Sequence, residues 1–160
     1  MRRFEKISFK QFKKDVSDDK KLYDSIELPK RSTKNSAGYD IRTIESYVLK
    51  SGESKVFKTG IKVEMNHDEV FFIFDRSSFG FKYDIMLSNN VGVIDSDYYN
   101  NEDNEGHICV KLINLGKKDI EINIGDRIAQ GIFIKYLTID DEEEIKTNRK
   151  GGFGSTGKEK

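Results

Sequence analysis

The sequence predicts an all-β fold, on three observations. From Ser25 onward, short apolar or alternating runs recur: YVLK, KVFKT, IKVEM, EVFFIF, DIML, GVID, HICVKLI, DIEINI and RIAQGIFIKYLTI. Between them stand Gly, Asn and Asp, which supply turn conformations at little steric cost. Helical spacing of apolar residues is confined to one short stretch near the start. Runs of this length and frequency predict a barrel or sandwich of roughly ten to twelve strands.

Residues 3–7, RFEKI, alternate as a short strand does. Ser8 and Gln11 then have capping-box spacing, and FKQFKKDV predicts one short helix that ends near the polar run at residues 17–21, SDDKK. This opening stretch, residues 1–24, reads as an extension appended to a core at 25–139. Within the core, SGES at residues 51–54 predicts a hairpin joining YVLK to KVFKT. Pro29 is the single proline, so Gly and Asx turns interrupt the strands, and no internal repeat occurs. Residues 140–150, DDEEEIKTNRK, are charged, and Phe153 is the one apolar side chain beyond them. Residues 140–160 therefore predict a mobile arm that orders when something binds.

A chain of 160 residues has room for one domain. Lys plus Arg and Asp plus Glu each number 28, so the net charge is zero, which disfavours stable nucleic-acid binding. The lone Cys109 excludes an internal disulfide. No apolar run reaches the roughly 18 residues of a membrane span, and no signal-peptide core is present. The expectation is a soluble cytoplasmic protein with no membrane association. Charged residues make up 35% and the mean hydropathy is −0.67. Either the core is thin or other copies of the chain complete it.

The chain ends in GGFGSTGKEK, and from Gly152 this reads G-x-x-x-x-G-K, with Glu159 where a Walker A loop carries Ser or Thr. Such a loop needs a buried strand before it and a helix after it. Here an acidic stretch precedes it and three residues follow Gly157, so that reading fails. A flexible tail and a lid remain. Phe153 could stack on a base, the glycines allow close approach, Ser155 and Thr156 offer hydroxyls, and Arg149 can fork onto a phosphate.

Five segments in order then resemble the homotrimeric deoxyuridine triphosphatase family. They are SAGYDI (36–41), DRSSFGFK (75–82), NNVGVIDSDYY (89–99), GDRIAQGIF (125–133) and RKGGFGSTG (149–157). The resemblance implies a distorted jelly-roll-like β-barrel and Mg²⁺-dependent hydrolysis of dUTP to dUMP and pyrophosphate. Such a reaction keeps uracil out of DNA and supplies dUMP for thymidylate synthesis. Asp95 would order the water that attacks the α-phosphorus, with Asp40 near the metal and that water. Uracil would pair with the backbone of the third segment, a hairpin carrying Asn89, Gly92, Val93 and Ile94. Tyr98 would lie against deoxyribose and exclude a 2′-hydroxyl, and Phe153 would cover the base. The phosphates would meet Arg76, Ser77, Ser78, Gln130, Arg149, Gly154, Ser155 and Thr156. Mg²⁺ would be held by triphosphate and water rather than directly by protein; His67 and His107 belong to no ligand spacing. Three copies would share each site, the arm of one closing over a pocket formed by the others.

The chain departs from the family pattern in four places. Ser78 stands where glycine is usual, which is tolerable if no positive φ is needed. Six residues, Asn100 to Glu105 (NNEDNE), separate Tyr99 from Gly106 and form an acidic loop that could contact a regulatory partner or do nothing. One residue is missing between Arg149 and the glycine pair, and the start is longer. Two other activities stay in view. One is deamination of dCTP on the same fold, from which the Phe-bearing tail points away. The other is a regulatory binding protein switched by dUTP.

Overall fold

The computed structural model describes residues 1–145, 149, 151 and 152. It is an all-β, jelly-roll-like barrel in which strands outnumber short helices. The described elements are β1 (Arg3–Lys6), α1 (Phe9–Asp15), α2 (Lys20–Ser25), β2 (Lys30–Arg31), β3 (Tyr39–Arg42), β4 (Tyr47–Leu49) and β5 (Ser54–Lys58). They continue with β6 (Ile61–Glu64), β7 (Glu69–Phe74), α3 (Ser77–Tyr83), β8 (Ile85–Leu87), β9 (Gly92–Asp95) and a 3-10 turn at Ser96–Tyr98. The remainder are β10 (Cys109–Asn114), β11 (Ile120–Ile122) and β12 (Arg127–Lys135). The largest sheet has the order β2-β3-β12-β7-β9, and a second has the order β5-β10-β8.

The EVFFIF run becomes β7, flanked by β12 and β9 and buried along most of its length. A strand covered on both faces is apolar at nearly every position rather than at every second one. Gly131 of β12 lies directly under the Phe71 ring, and a Cβ there would overlap that ring. The ring also packs 4.8 Å from Phe133 and 5.3 Å from Phe4, centroid to centroid.

Phe4 belongs to the opening segment, which the fold treats as core. β1 pairs with β6, and Ile7 and Phe12 are fully buried. The expected appendage is therefore corrected: its alternation buries one face against the barrel. Ser8 caps α1 by accepting from Gln11 N (3.1 Å), but the reciprocal bond goes elsewhere. The Ser8 N–H donates to Glu105 Oε2 (2.8 Å), and Gln11 turns to Asp15 (2.9 Å). The polar run at 17–21 also begins a second helix, α2, because Asp19 caps Leu22 N (3.0 Å).

The hairpin expected through residues 51–54 is an arch. β4 pairs with β11 and β5 with β10, so the turn carries the chain between two sheets. Asn114, fully buried, holds that corner by donating to the carbonyls of Leu49 and Lys118, both at 2.9 Å. No helix among the described residues is long and apolar enough to cross a membrane.

Candidate active site

Two clusters of the expected residues form, at separate places on the barrel. The first surrounds the segment from Ile85 to Tyr98. This segment also departs from the expected hairpin, because β8 pairs with β10 while β9 pairs with β7. Among the described residues its two arms are the edges of different sheets; on the β8 edge the Leu87 N–H donates to the Asp75 carboxylate, and the β9 edge pairs with no further strand. Between them opens a cavity of about 580 Å³, lined by Leu87, Ser88, Gly92, Val93, Asp95 and Tyr98 among others. A flat group with its own donors and acceptors can enter such a slot as an added strand would.

At the loop end, Asn89 donates to its own Val91 carbonyl (3.4 Å), and Asn90 adopts a φ of 61° to close the turn. Val93 is exposed, while Gly92 and Ile94 are half-buried. At the far end, β9 finishes in Asp95, whose side chain is 48% exposed at the mouth of the cavity. Arg149 forms an ion pair with Asp95 and another with Asp97 (2.7 Å), while its guanidinium lies 6.0 Å from the centre of the Tyr98 ring. The single chain thus holds its own Arg149 on its own Asp95. Gly152 follows against the same ring, where a Cβ would come within 2.7 Å of Cε2.

Tyr98 is buried, and its hydroxyl donates to the His107 carbonyl (3.1 Å). Burial pushes its phenol above the ordinary range. His107 is itself structural. Its Nε2 accepts from Gly60 N (3.0 Å), so Nδ1 carries the proton shared with Asp15 (2.7 Å). Cys109 lines the cavity as a free thiol, pushed up to about 11 by burial.

The second cluster joins β3, α3 and β12. Asp40 pairs with Arg76 and with Arg127, each at 3.2 Å, and accepts from Ser32 Oγ (2.8 Å). Partial burial works against its ionisation. The hydrogen bonds from Ser32 and Arg127 and the charges of Arg76 and Arg127 outweigh it and hold the carboxyl below its usual range. Arg127 is a member the sequence reading passed over; its signal was a cation opening a mostly apolar strand. Gln130 donates to the Asp75 carbonyl (2.9 Å). Ser77 and Ser78 open α3, where backbone N–H groups have no preceding helical carbonyl to meet. Ser78 needs no positive φ, so the missing glycine costs no strain.

Asp40 and Asp95 do not meet within one chain. Asp40 stands opposite Gln130, which stands opposite Phe74, whereas Asp95 stands opposite Val70. Three strand spacings and four residues along β7 separate them by about 20 Å. Phe153, Gly154, Ser155 and Thr156 lie outside the described residues. Among the described residues no group of three or more His, Cys, Asp or Glu could hold a metal ion.

The barrel thus carries an edge-lined slot with a carboxylate at its mouth and, apart from it, an arginine cluster. The sequence profile of the dUTPase family matches residues 24–157, and the chain belongs to that family. The deoxyuridine 5′-triphosphate nucleotidohydrolase of Lactococcus lactis is 48% identical over 133 residues, covering 82% of this chain and 89% of that protein. The dUTPase of Streptococcus mutans superposes with a TM-score of 0.71 at 40% identity, covering 86% of this chain and 98% of that one. The dUTPase of phage phi11 of S. aureus, described as carrying a species-specific insert, shares the fold at 20% identity. Its TM-score is 0.67, over 92% of this chain and 97% of that one.

Proposed function

We propose that the chain hydrolyses dUTP to dUMP and pyrophosphate, with the base in the slot between β8 and β9 and Asp95 as general base. The family and the nucleotidohydrolases that resemble the chain support the reaction, and the slot ending in Asp95 carries the mechanism. Backbone groups of Gly92, Val93 and Ile94, with Asn89 at the turn, pair with the uracil edge. Tyr98 walls the deoxyribose, so a 2′-hydroxyl clashes with the ring. Asp95 takes a proton from water as the water oxygen bonds to the α-phosphorus and the bond to the bridging oxygen breaks, releasing pyrophosphate. A positioned base of this kind contributes about 10²–10⁴ in rate.

Asp95 and the arginine cluster of one chain, about 20 Å apart, cannot both touch one triphosphate near its α-phosphorus. We therefore assign the phosphate half of each site to another copy in a homotrimer. That copy would offer Arg76, the Ser77 and Ser78 amides and Gln130, with Asp40 orienting Arg76 and Arg127. Arg149 exchanges its two carboxylates for the phosphates as the arm closes with Phe153, Gly154, Ser155 and Thr156. Mg²⁺ would be held by the triphosphate and by water, with no direct protein ligand. When bound, it would neutralise phosphate charge. A cytoplasmic setting fits a chain with one unpaired thiol.

Pyrophosphate release assayed with dUTP, dTTP and UTP tests this reading, with ammonia release from dCTP followed in parallel. Turnover confined to dUTP is expected. Ammonia from dCTP, or equal turnover of UTP, would contradict it.

A further inference from the structure

The six residues between Tyr99 and Gly106 are a compact, inward-bonded unit. Asn100 N donates to the Glu105 carbonyl (3.0 Å), closing the loop on itself, with Asn100 at φ 56° and Glu105 at φ 60°. Asn101 is buried, and its oxygen accepts from Asp103 N (3.0 Å) and Asn104 N (3.1 Å). Its amide donates to the Tyr98 carbonyl (2.8 Å) and to Asn104 Oδ1 (2.9 Å). Glu105 ties the loop to the Ser8 amide (2.8 Å) and to Lys62 (3.4 Å). The loop is thereby anchored on α1 and β6.

Asn104 joins this frame to the phenol. Gly106 N donates to Asn104 Oδ1 (3.0 Å), and an N–H can only donate, so the Asn104 NH₂ must face the other way. There it donates to the Tyr98 hydroxyl (2.8 Å), whose own proton is committed to the His107 carbonyl. Both capacities of the phenol oxygen are used in directions set by backbone. The ring edge cannot swing without breaking a bond to a buried partner.

We propose that the loop from Asn100 to Glu105 is a positioning element for Tyr98, with Asn104 fixing the phenol and Asn101 fixing the backbone. It thereby sets how firmly the site rejects a ribonucleotide. The inference rests on the reading of Tyr98 as the sugar wall. It also gives the loop an internal role in place of a regulatory contact.

The test is a double-mutant cycle on the trimeric enzyme, reading kcat/KM for dUTP and for UTP in the parent, Asn104→Ala, Tyr98→Phe and the double variant. A neutral hydrogen bond is worth about 1 kcal/mol net, so Asn104→Ala should lower the dUTP/UTP ratio by roughly 5-fold. The same substitution in the Tyr98→Phe background should leave the ratio unchanged, because the bond is already gone. A loss of ratio of the same size in both backgrounds, or none in either, would overturn the inference. Glu102→Ala, on the exposed side of the same loop, should keep the parent ratio; a loss there would point to general loosening and overturn it too. Tyr98→Ala separates the two levels. A collapsed ratio there with an unaffected Asn104→Ala overturns the positioning alone, and an unchanged ratio overturns the sugar wall and this inference together.

Discussion

Asp95 ends β9 with half its side chain in solvent, paired with the largely buried guanidinium of Arg149 from the arm. Asp95→Asn should therefore leave the fold intact, since an amide can still accept from Arg149. Binding of a non-hydrolysable dUTP analogue should persist while hydrolysis falls by at least about 10²-fold, the low end for a lost base. Calorimetry with the analogue and single-turnover kinetics with dUTP check the two halves. Parent-like turnover would move the base to Asp97 or Asp40. Asp40 is already committed to Arg76, Arg127 and Ser32, and in the proposed mechanism it acts through the arginines it orients.

At the level of elements, the pairing of β12 with β7 depends on Gly131 leaving room for the Phe71 ring. Gly131→Ala should destabilise the protein by about 1–3 kcal/mol, as overpacking of a tight core does, measured as a shift of the urea midpoint. β1 is tied to β7 by Arg2 and Glu69, Nε to Oε1 at 2.8 Å, and chiefly the hydrogen bond from Arg2 lowers the Glu69 carboxyl to about 2. A depressed carboxylate stabilises the fold above its unfolded value, near 4.5, and loses that contribution as pH falls toward 2. Glu69→Gln should flatten the fall of stability across that window. Parallel curves for parent and variant would mean that the pair is not linked to folding.

These elements also mark how far local sequence reaches. Strand positions followed from alternation, and β7 and β12 could be read directly from EVFFIF and RIAQGIFIK. Pairing could not, because the SGES turn has the same chemistry whether it closes a hairpin or an arch. Residues far along the chain decide between them: Asn114 donates to the Leu49 carbonyl, and Ser51 of the turn bonds Gly116 and Asp119. The run SDDKK reads as a helix end yet also holds the cap of the next helix, Asp19, because a capping residue and a terminating one look alike. In the site, Asp95, Tyr98 and Arg149 came from motif order. Asn104 gave no signal, since its partners are set by the folded loop.

For the whole molecule, the decisive feature is the separation of Asp95 from the Asp40–Arg76–Arg127 cluster in one chain. Large apolar side chains beyond β12, Leu137 at 97% exposure and Ile139 at 67%, are uncovered in a single copy and suit burial against others. Light scattering at micromolar concentration should give three times the 18.5 kDa chain mass; a monomer or dimer would contradict the assembly. The most direct test of a site built between copies is complementation. Asp95→Asn and Arg76→Ala, each purified alone, should be nearly inactive on dUTP. Mixed trimers, obtained by co-expressing the two with different tags, should recover activity well above either, because some sites join an intact Asp95 to an intact Arg76. Mixed trimers as inactive as the separate variants would place both groups in one chain's site and contradict the account.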